Sequence, residues 1–192
     1  MTGSPGNDGV ELVLPHVPEQ SAAASGPKRA GAETGHGPEL APVVSGARRR
    51  ALRDGDRQID TAHLLHSLLE CDPEVRAAFD GGPQLARLLG YLVQRSIGYG
   101  LRWQSAVENS GAGPGPGGPG WSPVAAGAME TAYGRAVLRG DGHARGLDLL
   151  VALVADPRSR AVEVFGRAGV DLPRLLDRVE RGLHGPASAS SR

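Results

Sequence analysis

Cysteine and lysine are almost absent: Cys71 and Lys28 stand alone among 192 residues. One cysteine excludes an internal disulfide and any cysteine-rich metal site. A phosphate-binding P-loop needs Gly-Lys-Ser/Thr, and Lys28 is followed by Arg29, so the chain is not a P-loop ATPase. Aromatic residues make up 4%, so aliphatic side chains and alanine must fill any core. Net charge is lacking too, with 21 basic and 21 acidic residues. Residues 1–96 carry 10 basic and 12 acidic groups, and residues 97–192 carry 11 and 9. That balance argues against a global pull toward nucleic acid. No apolar run approaches the length of a membrane span. The N-terminus has no basic region followed by an apolar stretch. The expectation is a cytoplasmic protein with neither nucleic acid nor membrane as partner. Neither Gly-x-Ser-x-Gly nor His-Glu-x-x-His occurs, so no catalytic residue, metal or cofactor is assigned and the chain is read as a non-enzyme.

What is abundant is glycine and proline, 29 and 15 residues. They mark three breaks. Residues 1–36 bury too little apolar surface to offset their ordering entropy and are expected to be disordered. Residues 97–120 read as a linker, flexible over the Gly/Pro-rich run 111–120, which can be neither helix nor regular strand. Residues 184–192 read as a disordered tail.

Between the breaks the apolar pattern is helical. Leu64, Leu65, Leu68 and Leu69 share one face, and Leu85, Leu88, Leu89 and Leu92 follow the i, i+3, i+4, i+7 rule. Leu149, Leu150, Leu153 and Val154 repeat the first pattern; Leu172, Leu175, Leu176 and Val179 repeat the second. The recurrence has a fixed offset. Adding 85 carries Ala47 to Ala132, Ala51 to Ala136, Gly55 to Gly140 and Leu64-Leu65 to Leu149-Leu150. Adding 87 carries Gly82 to Gly169 and Arg87-Leu88-Leu89 to Arg174-Leu175-Leu176. The chain is therefore read as duplicated. The reading is all-α: two four-helix repeats, 37–96 and 121–183, related by a pseudo-twofold and forming one domain over 37–183. Each repeat has a helix rich in small residues (38–54; 122–139), a leucine-rich helix (61–71; 146–155), a short third helix (74–80; 158–168), and a fourth running from about Pro83 or Asp171 to about 98 or 183. Asp60 or Thr61 is the expected N-cap of the leucine-rich helix in the first copy.

This duplicated pattern resembles the Clp N-terminal (Clp R) repeat domain, the substrate receptor of ClpA- and ClpC-type unfoldases. The stretch from Asp60 through Thr61, Ala62, His63, Leu64 and Leu65 to Leu69 is similar to that family's Thr-Glu-His-Leu-Leu-x-x-Leu-Leu. Trp121-Ser122-Pro123 resembles its Phe-Ser-Pro, and Gly169-Val170-Asp171 its Gly-Val-Asp. The resemblance covers about residues 37–183 and lacks the AAA+ modules of full-length unfoldases. It implies a non-enzymatic protein-binding module acting as adaptor, regulator or decoy, with Clp components or their substrates as partners. It also implies a peptide-binding groove at Ala62, His63, Leu147 and Asp148. In the ClpC branch the glutamate of Thr-Glu-His helps to bind phosphoarginine. Ala62 and Leu147 stand at those positions here, so phosphoarginine reading is not expected.

Other constellations have plainer readings. Asp60, His63, His66 and Glu70 fall at helical spacings that a metal could use, but a cap and a solvated face fit them better. Cys71 could be drawn as a nucleophile, but at the end of a leucine-rich helix it reads as a small buried residue. Arg48, Arg49, Arg50, Arg53 and Arg57 could face an acidic partner, and read instead as a solvated face paired with Asp54, Asp56 and Glu74. Ile97-Gly98-Tyr99 is similar to the tripeptide by which Clp unfoldases dock on their peptidase, and reads equally well as a helix end. Two further functions stay open: a helical regulatory domain that binds an unrelated protein or small ligand in the inter-repeat groove, and a cryptic hydrolase, which only the family's link to proteases raises.

Overall fold

The computed structural model describes residues 37–96, 108 and 120–184. The expected disordered segment 1–36, the Ile97-Gly98-Tyr99 tripeptide, most of the linker and the tail beyond His184 lie outside them. The described residues form eight helices: α1 (Leu40–Asp54), α2 (Thr61–Cys71), α3 (Pro73–Ala77), α4 (Gly82–Ser96), α5 (Pro123–Arg139), α6 (Gly146–Ala155), α7 (Arg160–Arg167) and α8 (Leu172–His184). The last helix includes His184, one residue past the expected start of the tail.

The two copies end their first helices by the same device. Gly55 and Gly140 have φ of +73° and +81°, the left-handed region that a side chain resists. Each passes its amide back into the helix, and the next residue closes the motif: Asp56 N donates to Ala51 O, and Asp141 N donates to Ala136 O, both at 2.9 Å. Small residues then let the helices approach. Ala47, Ala51 and Ala132 are fully buried, and α1 packs along α2 as α5 packs along α6.

The core is aliphatic, as the shortage of aromatics requires. Leu64, Leu65, Leu68, Leu149, Leu150 and Leu153 are inaccessible. The fourth helices contribute Leu88, Leu92, Leu175, Val179 and Leu183, while Leu85, Leu89 and Leu172 are only partly buried. Packing crosses between the copies: α2 lies against α7, and α3 against α6. The chain's two phenylalanines meet across this seam, Phe79 stacked on Phe165 with centroids 6.2 Å apart. At the same seam Gly146 is crowded. A Cβ there would come within 1.8 Å of Asp72 Oδ2, on the carboxylate whose other oxygen, Oδ1, caps α3.

Two features depart from the sequence reading. Gln58–Ile59 (β1) and Gly120–Trp121 (β2) form a two-residue parallel pair, Gln58 opposite Gly120 and Ile59 opposite Trp121. Gly120 was expected to lie in a linker without strand. The pairing is local: each segment is already extended at the entry to a helix, and Ser122 N closes the ladder onto Ile59 O at 2.9 Å. The second departure is Glu108. It was placed in the linker, yet it is 1% exposed and hydrogen-bonded to Thr61, Ser122 and Arg160.

Candidate functional site

The N-terminus of α2 organises the first copy. Asp60, extended at φ −105° and ψ 176°, is the N-cap and accepts from His63 N at 2.9 Å. His63 sits at N3, where its ring reaches back toward the cap. Nδ1 is 2.9 Å from Asp60 Oδ1, and Nε2 is 3.3 Å from Asp56 Oδ2 and 3.8 Å from Asp54 Oδ2. Burial alone would depress this imidazole. Hydrogen bonds to Asp56 and Asp60, together with their charges, outweigh it and hold His63 at about 9. Burial likewise pushes Asp60 up, but the bonds and charges of His63 and the Arg160 guanidinium bring it down to about 2. At neutral pH the ring is therefore an imidazolium clamped between carboxylates. When it deprotonates, Nδ1 can instead accept the Asp60 amide, 3.2 Å away.

Ala62 and His63 open onto a pocket of about 330 Å³ whose wall also includes Asp54, Asp56, Arg95 and Arg160. His66 lines the same pocket. Burial and the nearby Arg50 charge depress it to about 4, so it is neutral there. The metal set drawn from sequence is thereby divided. Asp56, Asp60 and His63 bring ligand atoms within 4.8 Å of one another, while His66 Nε2 faces Glu70 at 3.5 Å. Asp56 was missed because it lies in the α1–α2 turn, outside the helical spacing used. The imidazolium of His63 and the guanidinium of Arg160 already supply the positive charge that a cation would bring to this cluster.

The second copy uses the equivalent positions differently. Asp148 is fully buried and accepts the Arg145 amide at 3.0 Å. Arg139 grips both of its oxygens, with Nη2 2.6 Å from Oδ2, and Arg135 Nε is 3.7 Å away. Leu147 is 2% exposed, and its Cδ1 lies 3.0 Å from where a Cβ on Gly182 of α8 would stand. Neither residue lines the Ala62–His63 pocket. The structure thus brings Ala62 and His63 together at an opening and places Leu147 and Asp148 in the packed base of the other copy.

Above that base runs a larger groove of about 1040 Å³. Its walls come from both copies: Glu39, Asp72 and Glu74 from the first, and Arg139, Asp141, His143 and Arg145 from the second, where Arg139 pairs with Asp141 at 2.9 Å. Arg145 Nη2 pairs with Glu74 across it. Cys71 was expected to be buried; it is exposed on the rim, because α2 ends there and its side chain leaves the leucine stripe. The basic run is paired in part as read: Arg53 meets the expected Asp54, and Ser96 as well, whereas Arg50 is mostly buried and takes Glu70, which was not among the expected partners.

No family model matches the sequence, and no curated protein matches it. The fold does have relatives among solved structures. The N-terminal domain of Hsp104 from Candida albicans superposes with a TM-score of 0.60 at 15% identity, over 79% of this chain and 92% of that one. The N-terminal domain of the caseinolytic protease associated chaperone ClpD from Arabidopsis thaliana gives 0.60 at 17% identity, over 80% and 97%. A structure described as part of a malarial protein secretion system gives 0.56 at 14%, over 76% and 92%. Identity at this level establishes architecture. The chain has the all-α fold of a Clp N-terminal domain.

Proposed function

We propose that this chain is a non-enzymatic protein-binding module related to Clp substrate reception, working as an adaptor, regulator or decoy. The observation that carries this reading is the groove of about 1040 Å³ with walls drawn from both repeats. Carboxylates and guanidinium groups line it together, Glu39, Asp72, Glu74 and Asp141 with Arg139 and Arg145, which suits an extended polypeptide with alternating backbone donors and acceptors. One of the N-terminal domains it resembles belongs to a chaperone associated with a caseinolytic protease. The test is degradation of an unfolded substrate by a reconstituted Clp unfoldase–peptidase with increasing amounts of the chain. An adaptor raises the rate and a decoy lowers it. A rate unchanged at saturating chain rejects the Clp connection. The pure chain alone is expected to leave casein intact.

A further inference from the structure

Three helix starts converge on one point inside the molecule, and a carboxylate occupies it. Thr61 is the first residue of α2, and its amide donates to Glu108 Oε1 at 3.1 Å. Arg160 is the first residue of α7, and its amide donates to Glu108 Oε2 at 2.8 Å. Ser122, the N-cap of α5, donates its hydroxyl to Oε1 at 3.3 Å while accepting from Ala125 N. The Thr61 hydroxyl donates to Oε2 at 2.9 Å, and the Arg160 Nε lies 3.7 Å away. Each helix end carries partial positive charge and unsatisfied amides. Two of them aim an amide at the anion and the third its capping hydroxyl, which makes a receptor matched in shape and sign to a two-oxygen ligand.

The receptor is built rather than incidental. Thr61 and Ser122 are fully buried, and Glu108 and Arg160 nearly so. Ser159 Oγ, the N-cap of α7, donates to Thr61 Oγ1, which also receives the Ala161 amide. That leaves the threonine proton free to point at Glu108. The donors come from both repeats, Thr61 from the first and Ser122 and Arg160 from the second, so a carboxylate seated here ties the halves together. Burial and the neighbouring Asp60 push the Glu108 carboxyl above its ordinary range, and the amide and hydroxyl donors oppose them.

We propose that the junction of α2, α5 and α7 is a carboxylate-binding site which Glu108 fills in cis, and which accepts a small external monocarboxylate when that side chain is removed. This stands apart from peptide binding in the groove and does not depend on it.

The experiment uses the full chain with Glu108→Ala, followed by thermal unfolding in formate or acetate against chloride at equal ionic strength. The substitution strands four buried donors, so the midpoint is expected to fall by roughly 5 °C or more. Formate or acetate should restore at least half of that loss with a saturating dependence. The response should weaken several-fold in Glu108→Ala/Thr61→Val and vanish in Glu108→Gln, whose amide keeps the seat filled. If Glu108→Ala is unfolded in chloride, the same titration reads recovery of the helical circular dichroism signal. Equal effects of carboxylate and chloride, or a carboxylate response undiminished in Glu108→Gln, would overturn the proposal.

Discussion

Replacing His63 with glutamine should flatten the alkaline arm of the stability curve. In the folded chain the imidazole titrates near 9, against an ordinary value of about 6.5. The folded state thus holds this proton more tightly than the unfolded chain. The stabilisation is complete below pH 6.5 and disappears as pH climbs through about 9. The gap corresponds to about 3 kcal/mol by linkage. Asp56 is half exposed, and solvent screens its share, so about 2 kcal/mol is the expected fall between pH 6.5 and 9. Urea unfolding followed by circular dichroism at half-unit steps measures it directly. Subtracting the His63→Gln curve removes every other group that titrates in this range. The difference should slope downward across that window and level off beyond it. A difference curve that is flat, or that rises with pH, refutes the clamp of Asp56 and Asp60 on a charged ring.

Other substitutions test other parts. His66 is depressed to about 4, so its contribution has the opposite sign: stability is lost as pH falls from 6.5 toward 4, and His66→Gln should reduce that acid-side loss in the same urea assay. Leu65→Ala and Leu150→Ala remove side chains that are fully buried at matched positions. Each should cost about 2–5 kcal/mol in chemical denaturation, and a mutant that melts like the parent would break the equivalence of α2 and α6. Phosphoarginine should bind very weakly in calorimetry. Ala62 and Leu147 offer no carboxylate, and the carboxylates nearby already have cationic partners: Asp54 with Arg53, Asp56 with His63, Asp60 with Arg160 and Asp148 with Arg139. Ala62→Glu adds a carboxylate at a residue 6% exposed, in a pocket wall that already holds Asp54, Asp56 and Asp60, and should lower the melting temperature. Leu147→Glu buries a charge against α8 and should unfold the chain at a lower temperature.

Legibility in the sequence followed periodicity. The leucine stripes of α2, α6 and the fourth helices repeat over several turns. The leucines of α2 and α6 are core as read, but in the fourth helices only Leu88, Leu92, Leu175 and Val179 are, while Leu85, Leu89, Leu172 and Leu176 are partly buried. Gly55 and Gly140 were legible as a matched pair, because only a left-handed helix end needs glycine at both. Asp60 as the cap of α2 followed from its place before the apolar run. The β1–β2 pair was not legible, since two residues carry no period. Glu108 was hidden for a different reason. Its partners lie 47 and 52 residues away in sequence, and a lone glutamate beside a Gly/Pro-rich run reads as solvated. At the site, Ala62 and His63 were picked out by motif. The roles of Asp54 and Asp56 depend on how the α1–α2 turn folds back over the His63 ring, which no local spacing reveals. The matched position Asp148 was paired with His63 by alignment, but a bidentate arginine from α5 makes it a buried anchor.

The most direct test of the protein-binding account is a fluorescence anisotropy titration of a labelled, permanently unfolded polypeptide with the full chain. Arg145→Glu serves as the comparison, because the Arg145 side chain reaches across the groove to Glu74 and reversing its charge leaves like charges facing each other. Saturable binding by the parent, weakened about tenfold in Arg145→Glu while the circular dichroism spectrum is kept, is the predicted result; no saturable binding by the parent, or equal affinity in the two proteins, would contradict it.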